Sequence, residues 1–309
     1  MAETELSRRL GPLHAGQRPN ADKGIDGAHA GKVHVGEKSS RLSSRPYGRR
    51  LVHAMYRTAP WLVPLLLLAL WELASRSGHL SSRVLPEPLA VGRAALALSR
   101  SGELWTDLEA STVRALSGLA IGGILGLAFG LANGLSRLSE LLTDTTLQMV
   151  RNIPPLAMIP LVILWFGIDE SAKLFLVAIG VFFPIYINTF HGIRTVDRAL
   201  IEMAKSYDLQ GWPLIRDVIL PGALPSILVG VRFALGLMWV MLIVAETVSA
   251  QSGIGYMTMN AREFLQTDIV LVGILLYAIL GKLADLFAKA LEHWLLKWHP
   301  EHQKRGVKR

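Results

Sequence analysis

A chain of 309 residues that is 51% hydrophobic has apolar material for several bilayer crossings. It holds no cysteine, which excludes disulfide frameworks and thiolate metal centres. Much of the net charge of +8 sits in residues 1–58, where eleven Lys or Arg face five Asp or Glu, and a basic excess on one flank of apolar segments reports membrane orientation rather than nucleic-acid binding.

Residues 1–58 are rich in Gly, Arg, Ser and His without apolar periodicity and read as a disordered, basic cytoplasmic tail. Arg41, Arg45, Arg49 and Arg50 suit either contact with lipid or plain topology. No secretory signal is expected, because the first apolar core starts near Pro60 and no small-residue cleavage site follows it. Residues 59–296 form the membrane domain. Its first span is expected from Ala59 to Ser75, anchored by Trp61 and Trp71. Residues 76–111 read as an outer connection, with a turn at Pro86 and Pro88 and an amphipathic helix from Leu89 to Leu98.

The second span, about Thr112 to Asn133, carries Gly118, Gly122, Gly126 and Gly130, and Gly134 follows it at the same interval. On a helix these five make one groove along which another helix can approach closely. Ser136 to Thr146 is a polar link. Pro154, Pro155 and Pro160 then rule out a straight third span, so a discontinuity facing the pathway is expected, with Pro160 either lining it or only kinking the helix.

Leu174 to Phe190 is the fourth span and Leu224 to Ala250 the fifth. The fifth holds Arg232, Trp239 and Glu246, whose ionisable groups should face the bundle or a wet cavity. Arg232 is expected to snorkel near the inner surface, and Glu246 to lie partly solvated near the outer end. Gly253, Gly255 and Tyr256 interrupt the helical pattern, as a re-entrant gate or as a plain external loop. Ile269 opens the sixth span, which ends around Phe287, and a basic tail over 297–309 follows. The fold expected is an all-α polytopic membrane protein of about six transmembrane helices, with both termini cytoplasmic.

Between the fourth and fifth spans, residues 195–221 cannot dissolve in lipid. Leu200, Ile201 and Ala204 recur at helical spacing among Asp197, Arg198, Glu202 and Lys205, which predicts a short amphipathic helix ended by Gly211 and Pro213. A second short helix should carry Leu214, Ile215, Val218 and Ile219, broken by Pro221 and Pro225. Two such helices on a membrane face make a knob that another protein can grip.

Glu202, Ala204, Val218, Leu220 and Pro221 fall at the spacings of Glu-x-Ala and aliphatic-x-Leu-Pro, and the stretch resembles the cytoplasmic coupling motif of ABC-importer permeases. The family usually has Gly six residues after the Glu, where this chain has Asp208, with Gly211 three residues on. The resemblance extends over roughly Trp61 to Trp298 and is nearest to aliphatic sulfonate permeases. It is carried by Leu220-Pro-Gly-Ala-Leu-Pro-Ser226, Ser252-Gly-Ile-Gly-Tyr-Met257 and Asn260-Ala-Arg-Glu-Phe-Leu-Gln-Thr-Asp268. Taurine and nitrate/bicarbonate permeases share the first two of these blocks in looser form.

The resemblance implies the type I importer core in a bacterial inner membrane. It also implies docking of Glu202, Met203, Ala204, Lys205, Asp208, Gly211, Leu220 and Pro221 on a cytoplasmic ABC ATPase subunit, present in two copies. A second permease copy and an extracytoplasmic substrate-binding protein would complete the assembly. The chain has no Gly-x4-Gly-Lys-Ser/Thr phosphate loop, no His-Glu-x-x-His pair and no Gly-x-Ser-x-Gly turn, so no catalytic residue, metal or cofactor is assigned. A secondary transporter would show an internal repeat and an ion site at mid-membrane, and a membrane-embedded enzyme would show clustered acids and bases.

Overall fold

The computed structural model describes residues 47–77 and 85–298. The tail expected over 1–58 lies largely outside them, as do residues 299–309. Residues 47–58 are helical instead, because α1 runs Tyr47–Arg76 and starts inside the stretch read as tail. Leu51, Val52 and Met55 recur there at helical spacing and extend the pattern of the first span backwards.

The elements that follow are α2 (Pro88–Ser101), α3 (Glu103–Leu135), α4 (Arg137–Arg151), α5 (Ile159–Phe166) and α6 (Glu170–Arg194). The chain continues with α7 (Arg198–Ser206), α8 (Trp212–Leu214), α9 (Leu220–Ser249), α10 (Ile254–Glu263) and α11 (Thr267–Leu295). Among the described residues no strand occurs, and the chain is an all-α, multi-pass membrane protein. Among the described residues four segments are long and apolar enough to cross a bilayer: α3, α6, α8 running into α9, and α11. The bent pair α4–α5 makes a fifth, and α1 covers the expected first span.

Local chemistry sets the ends of these helices. Pro88 opens α2, where a missing N–H is no loss, and Gly102, at φ 86°, turns the chain straight into α3. Residues 103–111, expected in the outer connection, are therefore the first turns of α3. Ser136 caps α4, its Oγ accepting from the Ser139 N–H at 3.3 Å. After Arg151 the prolines allow only a short 3-10 turn, Pro155–Met158, and the axis bends by 86° into α5. The discontinuity expected in the third span is there.

The centre is α3 against α6 and α6 against α9, around Val177, Val181, Ile185, Leu235, Met238 and Leu242. The five glycines of α3 at intervals of four lie along α6. A Cβ on Gly126 would stand 2.7 Å from the Phe182 carbonyl oxygen, and one on Gly130 would stand 2.6 Å from Thr189 Cβ. The α6–α9 seam uses the same device at Gly192 and Gly230, the latter 2.7 Å from Asn188 Cβ by the same measure. With lipid outside, close backbone approach supplies the packing that hydrophobic exclusion supplies in water. At the far end of α3, buried Asn133 donates to Tyr186 OH at 2.9 Å, Tyr186 OH donates to Asp144 Oδ1 at 2.8 Å, and Thr143 donates to Asn133 Oδ1 at 2.9 Å. These bonds fasten α4 to α3 and α6.

Candidate functional site

The polar stretch between α6 and α9 forms the expected knob, with a different ending. Asp197 opens α7, its Oδ1 accepting from the Ala199 N–H at 2.9 Å. The helix stops at Ser206, before Gly211, because Asp208 takes the left-handed conformation at φ 64°. The Leu209 N–H then reaches back to the Ala204 carbonyl at 3.1 Å and the Asp208 N–H to that of Lys205 at 3.0 Å, a Schellman ending. Asp208 thus does what Gly does at this position of the motif, since a short polar side chain tolerates left-handed backbone better than most. Gly211, at φ 60°, turns the chain into α8.

The second short helix is not a separate one. Pro221 and Pro225 do not break it: Trp212 to Ser249 is helical throughout, through a π turn over Ile215–Ile219. In that wide turn the Leu220 N–H donates to the Ile215 carbonyl, five residues back. Widening the helix immediately before Pro221 makes room for a ring that would otherwise meet the carbonyl of the preceding turn.

Glu202, Met203, Lys205, Asp208 and Gly211 are exposed, and with them Tyr207 and Trp212. Met203 is 54%, Tyr207 77% and Trp212 69% exposed, a large apolar and aromatic content for a polar knob. Ala204 was expected on this outer face. It is only 4% exposed, turned into its own chain, so its small size serves packing. Leu220 and Pro221 are half-buried, and Leu220 packs on Ile193, Val196, Ala223 and Ile227. The motif positions therefore divide: Ala204, Leu220 and Pro221 are buried or half-buried within the chain, and Glu202, Met203, Lys205, Asp208 and Gly211 form the exposed face of the knob.

A second polar centre lies at the opposite end of α9. Glu246, expected to be partly solvated, is 1% exposed. Its carboxylate accepts from Ser111 Oγ at 2.8 Å, Arg114 Nη1 at 2.9 Å, the Gly255 N–H at 2.9 Å and Tyr277 OH at 3.2 Å. Arg114, 6% exposed, also donates to both Glu170 oxygens at 2.6 and 2.8 Å and to the Ser252 carbonyl at 2.6 Å. Lys173 joins Glu170 at 2.8 Å, and Asp107 accepts from the Gly253 N–H at 2.7 Å. Charges at membrane depth are tolerated only when paired in this way.

Gly253 and Gly255 belong to this knot. Both are buried, and a Cβ on either would run into Glu246. The segment folds back onto α3 and α9 and is not a plain external loop. Gly253, at φ 110°, also needs a backbone that other residues rarely adopt. Tyr256 stands apart, lining a polar crevice of about 490 Å³ with Glu103, Thr106, Asp107 and Gln251.

The residues expected along the pathway do not converge within one chain. Pro160 is exposed in the first turn of α5, and Arg232 is half-exposed, paired with Asp285 of α11 at 2.7 Å. Trp239 is half-buried, edge-on to Tyr277 at 6.4 Å, and its Nε1 has no protein acceptor. Arg114, Glu170 and Lys173 went unremarked in the sequence. A signal existed: Asp107, Ser111 and Arg114 fall at helical spacing on the face that Gly118 and Gly122 continue.

Residues 118–297 match the family model described as binding-protein-dependent transport system inner membrane component. The chain is 64% identical over 248 residues to the putative aliphatic sulfonates transport permease protein of Escherichia coli (strain K12), covering 80% of this chain and 94% of that one. It is 46% identical over 242 residues to the protein of the same description from Bacillus subtilis (strain 168), covering 78% and 88%. Against the taurine transport system permease protein of Escherichia coli (strain K12), identity is 36% over 242 residues, covering 77% and 88%. With its helical membrane core and its knob between α6 and α9, the chain belongs to the family of binding-protein-dependent transport system inner membrane components, the permease subunits of ABC importers.

Proposed function

We propose that this chain is the permease of an importer for aliphatic sulfonates, working as a homodimer with two ATPase subunits and an extracytoplasmic binding protein. The observation that carries the substrate is the 64% identity to the Escherichia coli sulfonate permease, against 36% to the taurine one. Coupling is assigned to the exposed face of the knob. Met203, Tyr207 and Trp212 would enter a cleft of the ATPase, and Glu202, Lys205 and Asp208 would border it, matching the pattern of a buried aromatic or Met centre within a polar rim. Closure of the two ATPases then moves the paired membrane domains. With one knob per chain, two copies of the permease serve two ATPases about a two-fold axis. In this arrangement the knob and both termini are cytoplasmic, and Pro160 of the broken third span faces the pathway.

The test is growth of a deletion strain on ethanesulfonate as sulfur source, complemented with the wild-type chain or with Met203→Asp. Wild type should restore growth. Met203→Asp should insert normally yet fail, because a carboxylate would be buried without a partner at the docking face, a loss of about 3 kcal/mol or more. Growth on ethanesulfonate without the protein, with taurine uptake lost instead, would move the assignment to taurine.

A further inference from the structure

Where α9 and α11 pack, Arg232, Lys282 and Lys289 surround Asp285. Arg232 donates to Oδ1 at 3.0 and 2.7 Å, Lys289 donates to Oδ2 at 2.7 Å, and Lys282 lies 3.6 Å from the same oxygen. Three cations around one carboxylate leave a charge of +2, and all three are half-exposed or more. Val229 on α9 and Ile279 and Leu286 on α11, three or four residues from Arg232 and Lys282, are exposed apolar side chains on the same faces.

The depth of this cluster follows from two helices independently. At about 1.5 Å per residue, Arg232 is about 24 Å along α9 from Val248, and Asp285 about 27 Å along α11 from Thr267. Val248 and Thr267 end the two spans on the side of the buried knot. A hydrocarbon core about 30 Å thick therefore ends just beyond the cluster, on the side of the knob. From there the long Arg and Lys side chains reach outwards to the lipid phosphates just beyond, where a second anion is at hand to offset the excess charge.

We propose that Arg232, Lys282 and Lys289 bind the phosphate of an anionic phospholipid of the inner leaflet, while Asp285 holds the three cations in place. Assignment to the inner leaflet rests on the cytoplasmic placement of the knob. The site itself does not, since lipid bound to the purified protein is read without reference to orientation or transport. A phosphate monoanion and a transported sulfonate are alike in chemistry, so the test separates the two sources. The lipid is favoured because exposed Ile279 and Leu286, three residues before and four after Lys282, share its face of α11, and acyl chains would lie there.

The experiment is native mass spectrometry of the full-length protein released from phosphatidylcholine nanodiscs doped with phosphatidylglycerol. Wild type should retain phosphatidylglycerol over phosphatidylcholine, and that preference should fall about fivefold in Lys282→Gln and again in Lys282→Gln/Lys289→Gln, the contribution of one basic side chain at an anionic surface. Asp285→Asn, which adds net positive charge, should retain the lipid more tightly. This opposite shift distinguishes a site from general damage. Equal retention across the four proteins would overturn the proposal. Displacement of phosphatidylglycerol by free ethanesulfonate or inorganic phosphate would overturn the lipid source and assign the cluster to a soluble anion.

Discussion

Asp208 shows how much one backbone angle governs. Its φ of 64° lets the last carbonyls of α7 find the N–H groups of Asp208 and Leu209. An L-residue pays about 1–2 kcal/mol for this conformation, with Asn and Asp at the low end and Gly free of it. Asp208→Gly should therefore tighten the ending and Asp208→Val should loosen it. Hydrogen–deuterium exchange at the amides of Asp208 and Leu209 measures this directly. Protection should rise a few-fold in the first variant and fall up to about tenfold in the second. An unchanged pattern in both would mean that the turn is held by contacts other than its own hydrogen bonds. Gly211 carries a similar demand at φ 60°, but it starts the next helix rather than ending this one.

Among the elements, the α3–α6 pair depends most plainly on what its side chains lack. A leucine at Gly126 would have to displace the Phe182 carbonyl and Ile185, both backbone or β-branched and unable to yield. Gly126→Leu should destabilise the membrane domain by about 3 kcal/mol or more, beyond ordinary overpacking. Gly92→Ala on α2 is the control, because nothing lies within 4 Å of its new Cβ. Fluorescence-detected size exclusion after graded heating should show early loss of the monodisperse peak in the first variant only. The α8–α9 junction teaches a related lesson. A π turn before Pro221 lets the helix run on through two prolines, so the knob is joined to α9 by continuous helix. A force on Trp212 is thereby transmitted to α9 without a hinge.

Across the whole molecule, the ionic knot connects elements that the chain places far apart. Arg114 and Ser111 of α3, Glu170 of α6, Glu246 of α9, the Ser252–Gly255 segment and Tyr277 of α11 share one network. Removing one partner leaves the others charged or unpaired in a buried site, so Glu246→Ala and Arg114→Ala should each destabilise by about 3–5 kcal/mol. Because both variants break the same contact, the double variant should be clearly less harmful than the two losses added, with a coupling of about 1 kcal/mol or more. Unfolding of the purified protein in mild detergent closes this cycle. Simple additivity would show that Arg114 and Glu246 act independently. The ends of these helices at the knot are thus held as one body.

The sequence by itself determined the membrane class, the family motif, the glycine face of α3 and the proline break in the third span. Each is local: apolar length, residue spacing and missing side chains are properties of a single helix. Even the knob was legible, as a polar stretch too long to hide between two apolar ones. Its ending was not, because Asp adopts left-handed backbone only when the following amides are captured, and Asp208 has no mark of that in the chain. Nor was the inward turn of Ala204, which depends on how α7 lies against the residues from Trp212 to Ile219. The knot was the largest thing hidden. Glu246 looked like a group near water and Arg114 drew no notice, since burial of a charge depends on which partners arrive from elsewhere. Residues as far apart as Arg114 and Glu246 meet only when α3, α6 and α9 have packed, and only then does an exposed-looking charge become a buried, paired one.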